Sequence, residues 1–220
     1  MLDDRIVRVK VKGDFACFTK PHSKAGQSSY PCMTPLAARG ILDSIFWKPG
    51  FQWYVRRIII LNPVRYTTKR NEVNTRCGRN LIAIEEQRAR RNDLILRNVA
   101  YIIEASIFMR HPSNTSEFEK YVGMVKGREG IFPRRVKKGK CWRKPFLGTS
   151  EYPAEFMIPD GTEQPIQDTI PIGSMVFDIM YDADGKPKPL YFDGATIKGG
   201  ILDCDVPENE QMIRFAGSVL

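Results

Sequence analysis

Two hydrophobic rhythms divide this chain. From Arg5 to Thr19, Ile6, Val7, Val9 and Val11 interleave with Arg8, Lys10 and Lys12, and Phe15, Cys17 and Phe18 follow Gly13-Asp14. That alternation predicts an opening strand with a bulge or bend at the glycine. The rhythm then turns helical. Ala38, Ile41 and Ile45 recur at helical spacing with Ala37 and Leu42 beside them, so one face should be buried. Thr34 is a good N-cap, Pro35 suits the first helical position, and Pro49-Gly50 should end the helix. Trp53, Val55 and the run Ile58 to Leu61 predict a second strand, with Arg56 and Arg57 set into it and Asn62-Pro63 closing it.

The pattern repeats farther on. In 93–109, Ile95, Val99, Tyr101, Ile103, Ala105, Ile107 and Met109 fall mostly in one parity and predict a long strand. Ser116 and Glu119 form a capping box opening a second helix that runs to about Lys126, with Phe118, Val122 and Val125 as its buried stripe. Lys120 then faces outward, about 160° from that stripe at 100° per residue, and Tyr121 sits at its rim. Residues 146–156 read as a loop entering a strand. Strands follow at 175–181, 190–193 and 196–204, with Asp184-Gly185 as a hairpin turn. Strand-helix-strand twice over is the split βαβ, ferredoxin-like order. The expected fold is therefore α+β: a ferredoxin-like βαββαβ domain over 1–160, interrupted by inserts at 65–91 and 126–144. A small β-rich domain over 161–220, with its own antiparallel sheet, completes it.

Charge sharpens this division. The net +9 splits into 30 Lys and Arg against 12 Asp and Glu in residues 1–150, and 4 against 13 in residues 151–220. A half-chain this basic calls for a polyanion, and nucleic acid is the usual one; a solvated basic surface is the plainer alternative. Tyr66 lies among the arginines of 65–91, and a long hairpin of that composition suits reaching around RNA; the plainer reading is a surface loop. In 126–144, nine basic residues face one acid, and Phe132, Trp142 and the nearby Phe146 supply stacking rings. Trp47 and Trp53 read as core.

Composition excludes other classes. A 42% hydrophobic share and 10% aromatics fit a folded globular protein. No apolar run approaches 18 residues and no charged-then-apolar leader opens the chain, so neither membrane span nor signal peptide is expected. Cys17, Cys32, Cys77, Cys141 and Cys204 are scattered and lack metal-ligand spacing, which reads as reduced thiols in a cytoplasmic protein. The basic half shows no clustered carboxylates or His pair for Mg²⁺, so no cofactor is expected.

Several motifs together resemble one family. They are 13–19 (GDFACFT), 33–42 (MTPLAARGIL), 45–49 (IFWKP) within the first helix, and 146–148 (FLG). The resemblance, nearly full-length, is to the CRISPR-associated endoribonuclease of type I-C systems, the d subtype of the fifth Cas family. It implies a ferredoxin-like domain related to RNA-recognition folds, with a C-terminal sheet. It also implies an enzyme that cuts CRISPR repeat RNA into guide RNAs, then stays on the 5′ handle as a subunit of the surveillance complex. The family's catalytic group falls on Phe46, Lys120 and Tyr121. Some members carry Tyr where this chain has Phe46, and phenylalanine cannot move a proton; it can stack on a base or shape the pocket.

Such cleavage runs by attack of a ribose 2′-OH on its own 3′ phosphate, leaving a 2′,3′-cyclic phosphate and a 5′-OH without need of a metal. Lys120 would stabilise the dianionic transition state; read from position alone, it is an ordinary outward lysine. Tyr121 would position the 2′-OH, since a reference pKa near 10 leaves about 0.1% phenolate at neutral pH; otherwise it is a rim tyrosine beside Phe118. His22 and His111 have better-matched pKa values but fall in loops. Arg39, Lys48, Arg56, Arg57, Arg65, Arg76, Lys137, Lys138 and Arg143 are candidates to hold RNA, or equally solvated charges. Two other readings stay open: a non-catalytic subunit capping the guide handle, and a surface that binds double-stranded DNA or cuts it with a metal. The acidic end suits protein partners, the guide-lining or large subunit of the complex.

Overall fold

A 22-residue strand at the centre of one sheet organises the molecule. The structure, a computed structural model, describes residues 2, 5–21, 27–49, 51–74, 88–109, 115–126, 130–181 and 184–205; His22, Arg76, Cys77 and His111 lie outside them. The elements in chain order are β1 (Val7–Ala16), α1 (Pro35–Ile45), β2 (Phe51–Ile60), β3 (Tyr66–Asn74), β4 (Arg88–Met109), α2 (Thr115–Lys126), α3 (Ile131–Lys137), β5 (Glu155–Met157), β6 (Ile170–Tyr181), β7 (Pro187–Lys198) and β8 (Ile201–Asp203). The sheet runs β5-β1-β4-β2-β8-β7-β6, antiparallel at every junction. β4 pairs with β2 over its C-terminal half and with β3 over its N-terminal half, so β3 and β4 form the long basic hairpin expected of 65–91.

The alternation read from the sequence selects the faces. Val7, Val9 and Val11 are buried with Ile103, Ala105 and Ile107 of β4. The helices contribute Ala38, Ile41, Leu42 and Ile45 from α1, Phe118, Val122 and Val125 from α2, and Phe132 and Val136 from α3. The opposite face of β1 and β4 carries charge. There Glu104, 1% exposed, is bracketed by Arg8 at 2.6 Å and Arg57 at 2.8 Å. A bulge between Val55 and Arg57 sets two consecutive arginines on that face: Arg57 meets Glu104, and the Arg56 Nε donates to Ser106 Oγ at 2.7 Å.

Several expectations change. The register of β1 on β4 runs unbroken through Gly13, so no bulge lies there. Gly13 answers to space instead, since a Cβ would meet Leu147 Cδ1 at 2.5 Å. Helix α1 stops at Ile45, short of Pro49-Gly50, because Phe46 turns extended (φ −154°, ψ 122°); residues 46–49 therefore lie outside the helix. Helix α2 begins at Thr115, which puts Ser116 inside it rather than at the cap, and Glu119 pairs with Arg5 at 2.7 Å instead of reaching back. Residues 131–137 of the second basic insert form a helix. The separate C-terminal sheet is corrected as well: β8 pairs with β2, so β6–β8 extend the one sheet. The strand expected over 196–204 is broken by a turn at Gly199-Gly200.

Cys17, Cys32 and Cys204 are buried, and burial pushes the Cys32 thiol up to about 12. No helix among the described residues is long and apolar enough to cross a membrane.

The loop 146–153 is clamped to the end of β1. Cys17 N donates to Leu147 O at 3.0 Å and Leu147 N to Tyr152 O at 2.7 Å, while Gly148 holds φ +88°. A Cβ on Gly148 would stand 1.9 Å from Cys17 O. Gly148→Ala should therefore cost at least about 2 kcal/mol in urea unfolding, from backbone strain and the forced separation of loop and strand. Gly40→Ala, inside α1 with nothing within 4 Å of the new methyl, should gain up to about 1 kcal/mol in the same measurement.

Candidate functional site

An aromatic relay joins Phe46, at the end of α1, to α2, which carries Lys120 and Tyr121. The Phe46 ring stacks on Phe51 at 5.7 Å (21° between planes), and Phe51 meets Tyr121 of α2 at 5.7 Å. Trp53 stands edge-on to Phe51 at 5.4 Å, packs on Phe132 at 4.9 Å, and donates its indole N–H to Phe46 O at 2.9 Å. Phe51, not singled out in the sequence, is thus the residue that brings Phe46 and Tyr121 together. Its signal was faint: one aromatic directly after a Pro-Gly stop.

Exposure assigns the three candidates different tasks. Phe46 is 6% exposed, so it shapes the wall and offers no free face to a base. Tyr121 is partly buried; its hydroxyl oxygen is shut from solvent with no hydrogen-bond partner among the described residues. Burial raises the Tyr121 phenol above its ordinary pKa. A phenol in that state donates a hydrogen bond and is poor at removing a proton. Lys120, beside it on α2, is exposed.

The predicted cations separate into two sets. Arg39 donates from Nη1 to the buried Asp178 Oδ2 at 2.7 Å, an oxygen that also accepts from Gln52 Nε2 at 2.8 Å. Arg56 pairs with Asp205 at 2.5 Å and Arg57 with Glu104. All three are engaged by carboxylates from other strands or the chain after them, although the Arg57 side chain stays 43% exposed. Arg65 is exposed at the base of the β3–β4 hairpin. Lys48, Lys137, Lys138 and Arg143 are exposed, as are Lys140 and Lys144, which the sequence reading did not single out. Among the described residues, no carboxylate pairs with any of these six.

This second set is tied to the end of α1 from which Phe46 emerges. Trp142 N donates to Ser44 O at 3.0 Å, the Trp142 indole N–H to Asp43 O at 2.7 Å, and Arg135 Nε to Ile45 O at 2.5 Å. Arg143 lies over the Phe146 ring at 5.4 Å. Two aromatic assignments reverse: Phe132, expected to stack, is core at 1% exposure, and Trp47, expected in the core, is 53% exposed. The Phe132–Val136 spacing, one helical turn, was the available sign for the first. An apolar cavity of about 450 Å³ between α1 and the β6–β7 hairpin is lined by Leu36, Ala37, Gly40, Val176, Ile179 and Tyr191 among others; it holds none of the three catalytic candidates.

Comparison with known proteins bears on this arrangement. A family model described as CRISPR-associated protein (Cas_Cas5) matches residues 6–165. The CRISPR pre-crRNA endoribonuclease Cas5d of Thermus thermophilus is 37% identical over 95% of this chain and 95% of its own length. The protein of the same name from Mannheimia succiniciproducens is 32% identical over 90% and 93%. A crystal structure described as a CRISPR-associated protein superposes with a TM-score of 0.65 at 21% identity, covering 93% of each chain.

Asp43 gives the α1 end a pH dependence. Burial raises its carboxyl from 3.8 to about 6, the Arg39 guanidinium lowers it, and the Asp178 carboxylate raises it. A carboxyl with a raised folded pKa favours the folded state most while protonated in both states. That contribution is complete below about pH 4 and is lost as pH rises through about 6. Relative to wild type, Asp43→Asn should therefore gain up to about 3 kcal/mol of unfolding free energy between pH 4 and pH 7, read from urea titrations at each pH.

Proposed function

Because the chain belongs to the Cas5d family of CRISPR-associated proteins, we propose that it cuts the repeat RNA of a CRISPR transcript into guide RNAs. One observation carries this reading. The Phe46–Phe51–Tyr121 relay sets an exposed lysine and a phenol without a hydrogen-bond partner among the described residues beside the surface where cations without a described carboxylate partner gather. The strand order β5-β1-β4-β2 supports a ferredoxin-like core spanning 1–160, with the acidic 161–220 half turned toward protein partners.

In the proposed step the ribose 2′ oxygen bonds to phosphorus, the bond to the 5′ oxygen breaks, and that oxygen leaves with a proton. The products are a 2′,3′-cyclic phosphate and a 5′-OH. The nucleophile belongs to the substrate, so the protein's tasks are in-line positioning and stabilisation of the dianion, with no metal or cofactor required. Lys120 supplies a charged donor to the phosphate, a contribution of about 3–4 kcal/mol. Tyr121, its phenol held protonated by burial, orients the 2′-OH or a phosphate oxygen once RNA binding turns that hydroxyl out of the wall that covers it in the free protein. Phe46 keeps the Phe51 ring against Tyr121. Lys48, Lys137, Lys138 and Arg143 hold the RNA backbone, Arg65 extends the grip to the base of the hairpin, and Arg76 is a further RNA contact proposed from the sequence. The product stays bound by its 5′ handle, and the protein becomes a subunit of the type I-C surveillance complex beside its guide-lining and large subunits. The same cations would also accept double-stranded DNA.

Pure protein incubated with its own repeat RNA in EDTA should yield the cyclic phosphate and 5′-OH ends. Lys120→Ala should slow single-turnover cleavage by about 10²–10³-fold. Intact RNA in wild type would leave a handle-capping subunit, and EDTA-sensitive cutting of DNA would leave a metal-dependent nuclease. The rate should climb with pH to at least about pH 9, because a raised Tyr121 pKa keeps its phenol protonated while hydroxide removes the 2′ proton. A bell centred near about pH 6.5, abolished in His22→Ala or His111→Ala, would contradict the assignment.

A further inference from the structure

The last turn of a helix leaves its final carbonyls without partners, and in α1 all four are taken. Leu42 O accepts from Phe46 N, Asp43 O from the Trp142 indole, Ser44 O from Trp142 N, and Ile45 O from Arg135. Trp142 thus spends both of its N–H groups on the helix end, and its ring, 67% exposed, is left for solvent. Trp47, two residues past the helix, is 53% exposed beside the same end. Large apolar rings held open in this way mark an interaction site.

The surroundings decide the partner. Lys48 follows Trp47, while Lys140, Arg143 and Lys144 flank Trp142. Residues 131–150 contain seven Lys or Arg and no Asp or Glu. The helix-end carbonyls, whose partial negative charge would repel a phosphate, are already satisfied by the chain itself. Flat faces among unpaired cations fit unpaired nucleotides, bases stacking on the rings and phosphates meeting the side chains between them.

The geometry points to Trp47 and Trp142 as a stacking platform for single-stranded RNA, built from residues other than Lys120 and Tyr121 and engaging the unpaired nucleotides that flank a repeat. The choice of RNA among polyanions rests on the function proposed above; the platform rests on the rings. Stacking and phosphate contacts leave different signatures. A lost stack lowers affinity at every salt concentration, whereas a lost phosphate contact also flattens the salt dependence.

The chain has three tryptophans, and Trp53 is 1% exposed, so the fluorescence of Trp47 and Trp142 reports the platform directly. Titrating a short single-stranded oligoadenylate should quench that emission. Trp142→Ala should weaken binding about tenfold with the slope of log K against log salt unchanged. Trp142→Phe should restore most of it, and Lys138→Ala should reduce the slope by about 0.7. Trp47→Ala, which removes none of the helix-end hydrogen bonds, carries the test if Trp142→Ala melts early. Wild-type affinity in both alanine variants, or an affinity loss accompanied by a flattened slope, would overturn the platform and leave the rings to a protein face. Wild type that cleaves its repeat, with cleavage slowed in Lys120→Ala, yet shows no quenching by oligoadenylate would overturn the platform and leave the proposed reaction standing. Quenching without any cleavage would sink the proposed reaction and leave the platform standing.

Discussion

Satisfying the carbonyl end of α1 is the constraint on which the site depends. A helix that stops at Ile45 with four bare acceptors inside a protein would forfeit the desolvation of each. The chain meets that demand with residues from far along the sequence, Arg135 and Trp142, and with the immediate turn at Phe46. The turn sends Phe46 onto Phe51, and Phe51 reaches α2. The return segment carries α3 and its cations to the same end. One hydrogen-bonding requirement thus gathers the aromatic relay and the basic surface.

A second constraint sorts the arginines. Glu104 and Asp178 are nearly buried, and a buried carboxylate without a cation would be strongly destabilising. Each recruits arginine: Glu104 takes Arg8 and Arg57, and Asp178 takes Arg39 with help from Gln52. Among the described residues, the exposed cations without a carboxylate partner include Lys137 at the end of α3 and Lys138, Lys140 and Lys144 in the loop after it. Lysine there acts as a mobile point charge, suited to a backbone of phosphates more than to a single base edge.

Much of this was legible from residue order. Thr34 caps α1 as expected, its Oγ1 accepting from Ala37 N at 3.2 Å, and Phe118, Val122 and Val125 form the buried stripe that turns Lys120 outward. Both follow from local spacing. What local spacing does not show shares a cause too. Arg39, Arg56 and Arg57 look like any exposed cation until the sheet delivers Asp178, Asp205 and Glu104, carboxylates from distant parts of the chain. Phe132 and Trp47 changed places because a single aromatic has no period, and only the packing of α3 on β2 decides which ring is covered. The continuity of β6–β8 with the main sheet hangs on a few residue pairs between β2 and β8, which no local pattern encodes.

The central position of β4 has a consequence for how the protein is made. β1 and β2 each find their principal sheet partner only in β4, which follows both in the chain. On the ribosome, nearly half the polypeptide must emerge before the first strand can pair with it. Until then Val7, Val9, Val11 and the apolar run of β2 lack the strand that completes their sheet. Closure of so long a loop is entropically slow, and edges left waiting invite association between nascent chains. The lysines and arginines interleaved along β1 and set into β2 make those waiting segments mutually repulsive, a safeguard during synthesis encoded in the same residues that later neutralise Glu104.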